Sequence, residues 1–191
     1  MPVQQEREPA PVHPDVERVL LTSDQIQTRL REMAVLIDRD YADRQVLLVG
    51  VLKGAFLLMA DLARYVTVPV HFDFMAVSSY GSATQTSGVV RILKDLEQDI
   101  DRRHVLLVED IVDTGLTLNY LLRSLRARGP ASLDVLSLLT KPEQVQVPID
   151  VRYVGFEVPG VFVVGYGLDY AERYRNLPYI GTLRRRVYET P

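Results

Sequence analysis

Residues 105–117 read Val-Leu-Leu-Val-Glu-Asp-Ile-Val-Asp-Thr-Gly-Leu-Thr, and this stretch is more informative about the fold than any other part of the chain. A continuous apolar run of strand length leads directly into two carboxylates, which is typical of a strand buried on both faces of a parallel sheet. A third carboxylate follows at Asp113, and the Thr-Gly-x-Thr turn after it is placed to open a helix. Carboxylates suit sugar hydroxyls and magnesium, whereas a hydroxyl-rich turn at a helix N-terminus suits a phosphate. The stretch therefore indicates a phosphorylated sugar as ligand.

The alternation of buried strands and helices continues on both sides of this stretch. Helices are predicted at 22–41, where Thr22 and Gln25 have capping-box spacing, at about 55–66, and from the 113–117 turn to Gly129. Strands are predicted at 46–51, 70–77, 89–93, 105–108, 133–139, 151–156 and 161–165. This pattern implies βαβ units and an α/β fold with a mainly parallel, doubly wound sheet. One domain is expected at 15–191, after a proline-rich tail at 1–14 that is predicted to be disordered.

Composition excludes several kinds of chemistry. The sequence has no Cys, which rules out disulfides, thiol catalysis and a cysteine-ligated zinc site. A net charge of −3 gives no global basic field that would recruit nucleic acid or an anionic membrane. No apolar run is long enough to span a bilayer, and the first 14 residues lack the apolar core of a signal peptide. We therefore expect a cytoplasmic protein.

The turn at 113–117 is expected beyond the carboxyl end of a strand, where ligands bind in open α/β sheets. Gly115 would let the backbone approach a phosphate closely, and Thr114 and Thr117 would add hydroxyl donors. Because no lysine follows in the Gly-x-x-x-x-Gly-Lys-Ser/Thr pattern, the turn is not that of an ATPase. The alternative is an ordinary helix cap at Thr117 with solvated carboxylates before it. Three carboxylates beside a phosphate would repel it unless a sugar or magnesium intervenes, which favours a ligand site.

The 105–117 stretch resembles the phosphoribosyl-diphosphate (PRPP) binding motif of type I phosphoribosyltransferases. Four further segments carry the same resemblance in matching order: Leu52-Lys53-Gly54, Ser78-Ser79-Tyr80-Gly81, Arg91-Ile92-Leu93-Lys94-Asp95-Leu96 and Phe162-Val163-Val164-Gly165-Tyr166-Gly167-Leu168-Asp169-Tyr170. Over roughly residues 15–183 the chain resembles the bacterial hypoxanthine (hypoxanthine-guanine) phosphoribosyltransferases. This implies the type I fold, with a small hood subdomain and a mobile loop. It also implies magnesium-dependent purine salvage. In this reaction hypoxanthine or guanine reacts with PRPP to give IMP or GMP, respectively, and pyrophosphate.

The resemblance distributes the PRPP contacts over several segments. Glu109 and Asp110 would hold the ribose hydroxyls, partly through Mg²⁺. The 5′-phosphate would be bound by Thr114, Gly115, Leu116 and Thr117. Pyrophosphate would be bound by the backbone amides of Leu52, Lys53 and Gly54, with an unusual cis peptide at Leu52-Lys53, and by Ser79, Tyr80 and Arg175. Residues 78–87 are rich in Ser, Thr and Gly, and we expect them to form a cover over the reacting ribose rather than an ordinary surface loop.

The purine contacts come from the same resemblance. Asp113 would be the general base or proton partner at purine N7, and Lys141 would donate to the exocyclic O6. Three ammonium donors match a carbonyl, whereas the 6-amino group of adenine would set donor against donor, so adenine should be rejected. Phe162 would stack on the base, with Val163 backbone groups at the base edge and Asp169 beside it as ligand of a second Mg²⁺. Without the family pattern, Lys141 would be a solvated lysine and Phe162 a core residue.

Two alternatives remain open at this point. Some proteins of this fold are PRPP-sensing regulators that bind RNA or DNA, and Arg184-Arg185-Arg186 is a short basic run. The 14-residue tail is too short for a winged helix, however, and the net charge is negative. The second alternative is the same chemistry on xanthine, because the groups around purine C2 are not assignable. The expected partners are PRPP and a 6-oxopurine, without nucleic acid or membrane, in a homodimer or homotetramer.

Overall fold

A computed structural model describes residues 12–80 and 89–188, with the backbone alone at 79, 80 and 89. In these ranges the strands are β1 (Val16–Leu21), β2 (Val46–Leu52), β3 (Val70–Tyr80), β4 (Val89–Lys94), β5 (His104–Val112), β6 (Ser132–Thr140), β7 (Tyr153–Glu157) and β8 (Ile180–Leu183). The α-helices in the same ranges are α1 (Ser23–Asp40), α2 (Phe56–Leu62) and α3 (Leu116–Arg126).

In the described part of the chain the main sheet has six strands in the order β4-β3-β2-β5-β6-β7. All neighbours are parallel except β3 and β4, which are antiparallel. The connection through α2 leads from β2 to β3 on one side, whereas the connection through α3 leads from β5 to β6 on the other. The strand order therefore reverses between β2 and β5, and the crevice beyond their carboxyl ends is where an open α/β sheet binds its ligand.

The sheet is buried on both faces because alternate residues of each central strand point to opposite sides. In β2, Val46 and Leu48 belong to a core cluster with α1 and α2, whereas Leu47 and Val49 belong to a second cluster with α3. This two-sided burial explains why the central strands read as continuous apolar runs. The predicted fold class, a mainly parallel sheet flanked by helices, is confirmed.

Helix α1 begins where its capping residues predict. The Thr22 hydroxyl accepts a hydrogen bond from the Gln25 backbone N–H at 3.3 Å, and the Gln25 side chain accepts one from the Thr22 N–H at 2.9 Å. Four apolar residues at helical spacing are buried beneath it: Ile26, Leu30, Met33 and Ile37. The amphipathic pattern thus fixes which face of α1 covers the sheet.

A second, two-stranded sheet in the described residues pairs β1 with β8 and forms a small subdomain beside the main sheet, which we term the hood. Strand β1 was not predicted, because it is short, half-exposed and pairs with irregular register. The strand predicted at 161–165 is wrong: these residues make isolated bridges only. Gly165 has φ +98°, outside the strand region, and a side chain there would overlap the Tyr179 carbonyl.

Two predicted segments lie largely outside the described residues. Of the predicted tail, residues 1–11 are not described, while the His13 N–H donates to the Tyr179 hydroxyl at 2.7 Å. The domain boundary at 14/15 therefore stays a prediction. Of the predicted cover at 78–87, residues 78–80 prolong β3 beyond Val77, and the rest is not described. None of the helices within 12–80 and 89–188 is long and apolar enough to cross a membrane.

Candidate active site at the ends of β2 and β5

Glu109 and Asp110 lie in β5 itself and not after it. The strand was predicted to end at Val108, but it continues to Val112 because β6 pairs with it as far as Thr140. Glu109 is buried, and burial together with the charge of Asp110 raises the pKa of the Glu109 carboxyl well above its usual range. Burial also raises the pKa of Asp110 to about 6. Two neighbouring acidic side chains, once ionised, can bind a cation or accept hydrogen bonds from hydroxyl groups.

The turn after β5 is rigidly built. Gly115 has φ +81°, and a side chain there would overlap the Val147 carbonyl. The Thr114 carbonyl accepts hydrogen bonds from the N–H groups of Gln146 and Val147, at 3.0 and 3.1 Å. This fixes the first turn of α3, from which Thr117 and Leu118 line a cavity at the positive end of the helix dipole.

Helix α3 begins at Leu116, with Gly115 and not Thr117 as its N-cap residue. The alternative of an ordinary cap at Thr117 is therefore wrong. A cavity of about 210 Å³ opens here, lined by Val51, Glu109, Ile111, Val112, Asp113, Thr114, Gly115, Thr117 and Leu118. The 105–117 stretch thus places carboxylates, hydroxyls and a helix N-terminus around one cavity.

The turn after β2 packs directly against these carboxylates. The Leu52-Lys53 peptide is cis, as the resemblance implies. A side chain at Gly54 would overlap the Asp110 carboxylate, and a side chain at Gly167 would overlap the Gly54 carbonyl. Because neither glycine has a side chain, the turn after β2 can pack closely against both Asp110 and the loop that contains Gly167. The loop between β7 and β8 therefore packs on the turn after β2, next to the place where the strand order of the sheet reverses.

That loop brings a charged cluster to the site. Arg175 Nη2 lies 2.8 Å from Asp169 Oδ1 and 3.1 Å from Glu172 Oε1. Glu172 Oε2 also lies 2.8 Å from Lys53 Nζ, and hydrogen bonds from Lys53 and Arg175 hold the pKa of Glu172 below its usual range. Arg175 Nη1 donates to the Gly167 carbonyl at 2.8 Å, while its buried Nε has no hydrogen-bond partner within the described residues. Lys53 and Arg175, which come from different segments, therefore both contact the Glu172 carboxylate.

A further charged pair joins the carboxyl ends of β5 and β6. Lys141 is buried just beyond β6, and its Nζ lies 3.2 Å from Asp113 Oδ2. Asp113 Oδ1 is buried and, among the described residues, has no hydrogen-bond partner. Phe162 is 48% exposed and packs edge-on against Tyr170 and Tyr188 at centroid distances of 5.9 Å. The exposed aromatic ring contradicts a plain core role for Phe162.

The remaining predicted residues divide into placed and undescribed groups. Val163 is buried beside the core of the main sheet, next to the exposed Phe162. The backbones of Ser79 and Tyr80 pair with Val90 and Val89 at the end of β3, and their side chains are outside the described set. A group of three or more His, Asp or Glu side chains arranged to hold a metal is absent from the residues described.

Sequence reasoning missed two contributions to this site. Glu172 bridges Lys53 and Arg175, although only its spacing of three residues from Arg175 could have pointed to it. Tyr166 is buried, and its hydroxyl donates to Asp61 Oδ2 at 2.7 Å, which ties the β7–β8 loop to α2. The φ of +48° at Tyr166, between two glycines of positive φ, is not visible in an apolar sequence pattern.

Together the fold and the site define an open α/β protein whose cavity, at the switch point of the sheet, combines a helix N-terminus with the carboxylates of Glu109 and Asp113. Residues 20–171 match the family model of the phosphoribosyl transferase domain, and the chain belongs to this family. The family membership and fold predicted from the sequence are confirmed.

Relatives extend over most of the chain. The hypoxanthine-guanine phosphoribosyltransferase of Mycobacterium tuberculosis strain H37Rv is 56% identical over 181 residues, covering 92% of this chain and 90% of the relative. The protein of the same name from Bacillus subtilis is 49% identical over 176 residues, covering 92% and 98%. A crystal structure of a hypoxanthine phosphoribosyltransferase from Staphylococcus aureus superposes with a TM-score of 0.90 at 44% identity, covering 93% and 97%.

Proposed function

We propose that the protein is a purine salvage enzyme that transfers the ribose 5-phosphate of PRPP to hypoxanthine and guanine. The bond from purine N9 to ribose C1′ forms, the bond from C1′ to the pyrophosphate oxygen breaks, and the products are IMP or GMP and pyrophosphate. The observation that carries the proposal is the Lys141–Asp113 pair at 3.2 Å, because Asp113 lines the same cavity as Glu109 and the start of α3. The names of the relatives support the same activity.

The ribose 5-phosphate would bind at the carboxyl end of β5. The N–H groups at the start of α3 and the hydroxyls of Thr114 and Thr117 would bind the 5′-phosphate. Glu109 and Asp110 would accept hydrogen bonds from the 2′- and 3′-hydroxyls. These assignments account for three carboxylates beside a phosphate site, because the sugar separates them from the phosphate.

The base would bind between Lys141 and Phe162. Lys141 Nζ would donate to O6, and Asp113 would exchange a proton with N7, which neutralises charge on the purine as N9 attacks. Phe162 would stack on the ring with its exposed face, and Val163 backbone groups would bind the base edge. The 6-amino group of adenine is a donor, and an ammonium group cannot accept a hydrogen bond. Adenine would therefore leave the Lys141 ammonium group without a partner.

The pyrophosphate would bind at the turn after β2. The amides of Leu52, Lys53 and Gly54 would contact its oxygens, with Arg175 as the cation opposite. Ser79 and Tyr80 would contribute from the end of β3. Preorganised donors at the leaving group are favourable because negative charge develops there as C1′ acquires cationic character.

The donor set suits magnesium. Glu109 and Asp110 are neighbouring carboxylates with raised pKa values, and no ion pair to Glu109 exists in the described part of the chain. Glu109 and Asp110 would hold one Mg²⁺ on the ribose side, and Asp169 a second on the pyrophosphate side. When bound, the ions would neutralise the charge of the diphosphate leaving group.

The regulator hypothesis has less support. Arg184 and Arg186 both donate to the Pro14 carbonyl, and Arg186 also pairs with Asp15 at 3.2 Å. Two arginines of the basic run are thus engaged within the chain rather than arranged as a free basic face. A cytoplasmic location is consistent with a sequence without Cys. An oligomer, homodimer or homotetramer, would cover the exposed apolar side chains of Phe72 and Leu93 at the β3–β4 edge.

A substrate panel tests the proposal directly. The purified protein is incubated with PRPP, Mg²⁺ and hypoxanthine, guanine, xanthine or adenine, and nucleotide and pyrophosphate are both measured. We expect nucleotide from hypoxanthine and guanine and none from adenine. The absence of any nucleotide with all four bases would refute the enzyme function, whereas turnover of xanthine alone would refute the base assignment.

A further inference from the structure

The carboxylate of Glu172 is placed by a rigid turn. Tyr170 and Arg173 exchange two backbone hydrogen bonds, at 3.2 and 3.1 Å, across a two-residue loop. The two loop residues, Ala171 and Glu172, have φ values of +50° and +61°. The Glu172 N–H also donates to Asp169 Oδ2 at 2.9 Å. The backbone therefore fixes the direction in which the Glu172 side chain leaves the loop.

This side chain joins two cations that come from distant parts of the chain. One carboxylate oxygen lies 2.8 Å from Lys53 Nζ after β2, and the other lies 3.1 Å from Arg175 Nη2 before β8. Lys53 and Arg175 belong to the segments that the proposed function assigns to pyrophosphate. The Glu172 carboxylate thus pairs with Lys53 and Arg175, the same two cations that the pyrophosphate leaving group would contact.

The contact is accessible and exchangeable. The side chains of Lys53 and Glu172 are both 65% exposed. Glu172 and Arg175 border an open cavity of about 490 Å³. Exposed ion pairs are weak, so an incoming polyanion can replace this one at small cost.

We propose that Glu172 is a resident counterion of Lys53 and Arg175, which competes with pyrophosphate for the two cations and so weakens the retention of this product. The inference rests on the proposed function. Its physical basis is the charge of the site: Glu172 adds a third carboxylate to Asp110 and Asp169 around the two cations. Pyrophosphate must displace Glu172 from both partners, and it remains close to its negative charge afterwards.

The test is the affinity for pyrophosphate of Glu172→Gln, measured by calorimetry on the full chain in MgCl₂. The substitution preserves size and removes the charge. Pyrophosphate should bind about three- to tenfold more tightly, the size expected when one like charge is removed from a partly solvated site. The gain should shrink when the salt concentration is raised to about 0.5 M, because the interaction is electrostatic. Hypoxanthine affinity should not change.

A matched control and a second variant keep the test sharp. Glu32→Gln removes the charge of another exposed ion pair, with Arg29 at 2.7 Å on α1, and should leave pyrophosphate affinity unchanged. Glu172→Ala should reproduce the gain seen with Gln. A purely structural role of Glu172 in holding Arg175 predicts the opposite sign, a loss of pyrophosphate affinity in both variants.

The outcomes separate this inference from the proposed function. Unchanged or weaker pyrophosphate binding by both Glu172 variants, in a protein that forms IMP, overturns the counterion role and leaves the enzyme function standing. Failure of the unmodified protein both to bind pyrophosphate and to form nucleotide overturns the proposed function itself. Tighter binding by both variants, with Glu32→Gln unchanged, supports the inference.

Discussion

Lys141 Nζ and Asp113 Oδ2 lie 3.2 Å apart and join the carboxyl ends of β6 and β5. The lysine side chain is only 7% exposed, whereas that of the aspartate is 42% exposed. The backbone continues the same alignment, since the Lys141 N–H donates to the Val112 carbonyl at 3.0 Å. The pair therefore presents a donor and a carboxylate side by side, the arrangement that O6 and N7 of a 6-oxopurine would meet.

The first prediction concerns Asp113. Asp113→Asn keeps the shape of the side chain but removes its ability to exchange a proton with N7. We expect kcat for IMP formation to fall about 100-fold or more, while PRPP affinity measured by calorimetry changes little. Asp150→Asn, at an exposed position, is the control and should retain full activity. Unchanged turnover in Asp113→Asn would remove Asp113 from its role.

The second prediction concerns base selection by Lys141. Lys141→Met keeps the length and apolar stem of the side chain but removes the donor to O6. We expect kcat/KM for hypoxanthine to fall about 100-fold or more, because the 6-oxo group loses its charged partner. Discrimination against adenine should shrink, while the KM for PRPP stays close to that of the unmodified protein. Retention of full preference for hypoxanthine would contradict the assignment.

Much of this architecture follows from local sequence, because central parallel strands are buried on both faces and are apolar throughout. The runs at 46–51 and 105–108 and the capping box at Thr22 were sufficient to place β2, β5 and α1. Strand β1 could not be found in this way, because its partner β8 lies about 160 residues away in sequence and the pairing is irregular. Local propensity carries no information on such a pairing.

The residues of the candidate site divide in the same way, into those visible in local sequence and those placed by distant contacts. The 105–117 stretch combines strand, carboxylates and turn within 13 consecutive residues, so its chemistry is visible in sequence. Glu172 and Tyr166 act through contacts with Lys53 and Asp61, more than 100 residues away. These contacts depend on glycines of positive φ in the β7–β8 loop and on its packing against Gly54, which only the folded chain shows.

The third prediction tests stacking by Phe162. Phe162→Leu should raise the KM for hypoxanthine about tenfold, since stacking of a base on an aromatic ring contributes about 1–3 kcal/mol. Because the ring is 48% exposed, the midpoint of urea unfolding should change little. Val161→Ala, at the adjacent position with 40% exposure, is the matched control and should leave the KM unaltered. A loss of stability without a change of KM would assign Phe162 to packing instead.

The fourth prediction concerns the close approach at Gly54. Gly54→Ala places a methyl group on the Asp110 carboxylate, which must move, so we expect nucleotide formation to fall about 100-fold or more. In Gly160→Ala the added methyl group would meet the flexible end of the Gln144 side chain and no carboxylate, and activity should persist. Steady-state kinetics on both variants, with circular dichroism to verify folding, makes the comparison. Full activity in folded Gly54→Ala would show that Asp110 need not stay where the structure places it.

The fifth prediction follows from the Asp110 pKa, which burial raises from 3.8 to about 6. Between these two values the folded protein binds more protons at Asp110 than the unfolded chain does. The contribution of Asp110 to the free energy of unfolding is therefore complete below about pH 4 and is lost as the pH rises to about 6.

Asp110→Asn stays neutral, so its stability relative to the unmodified protein should rise by about 1–3 kcal/mol across this window and then level off. Urea unfolding of both proteins at several pH values, without ligand, measures this difference. A difference that is constant with pH would mean that Asp110 is not held in the low-polarity surroundings that raise its pKa.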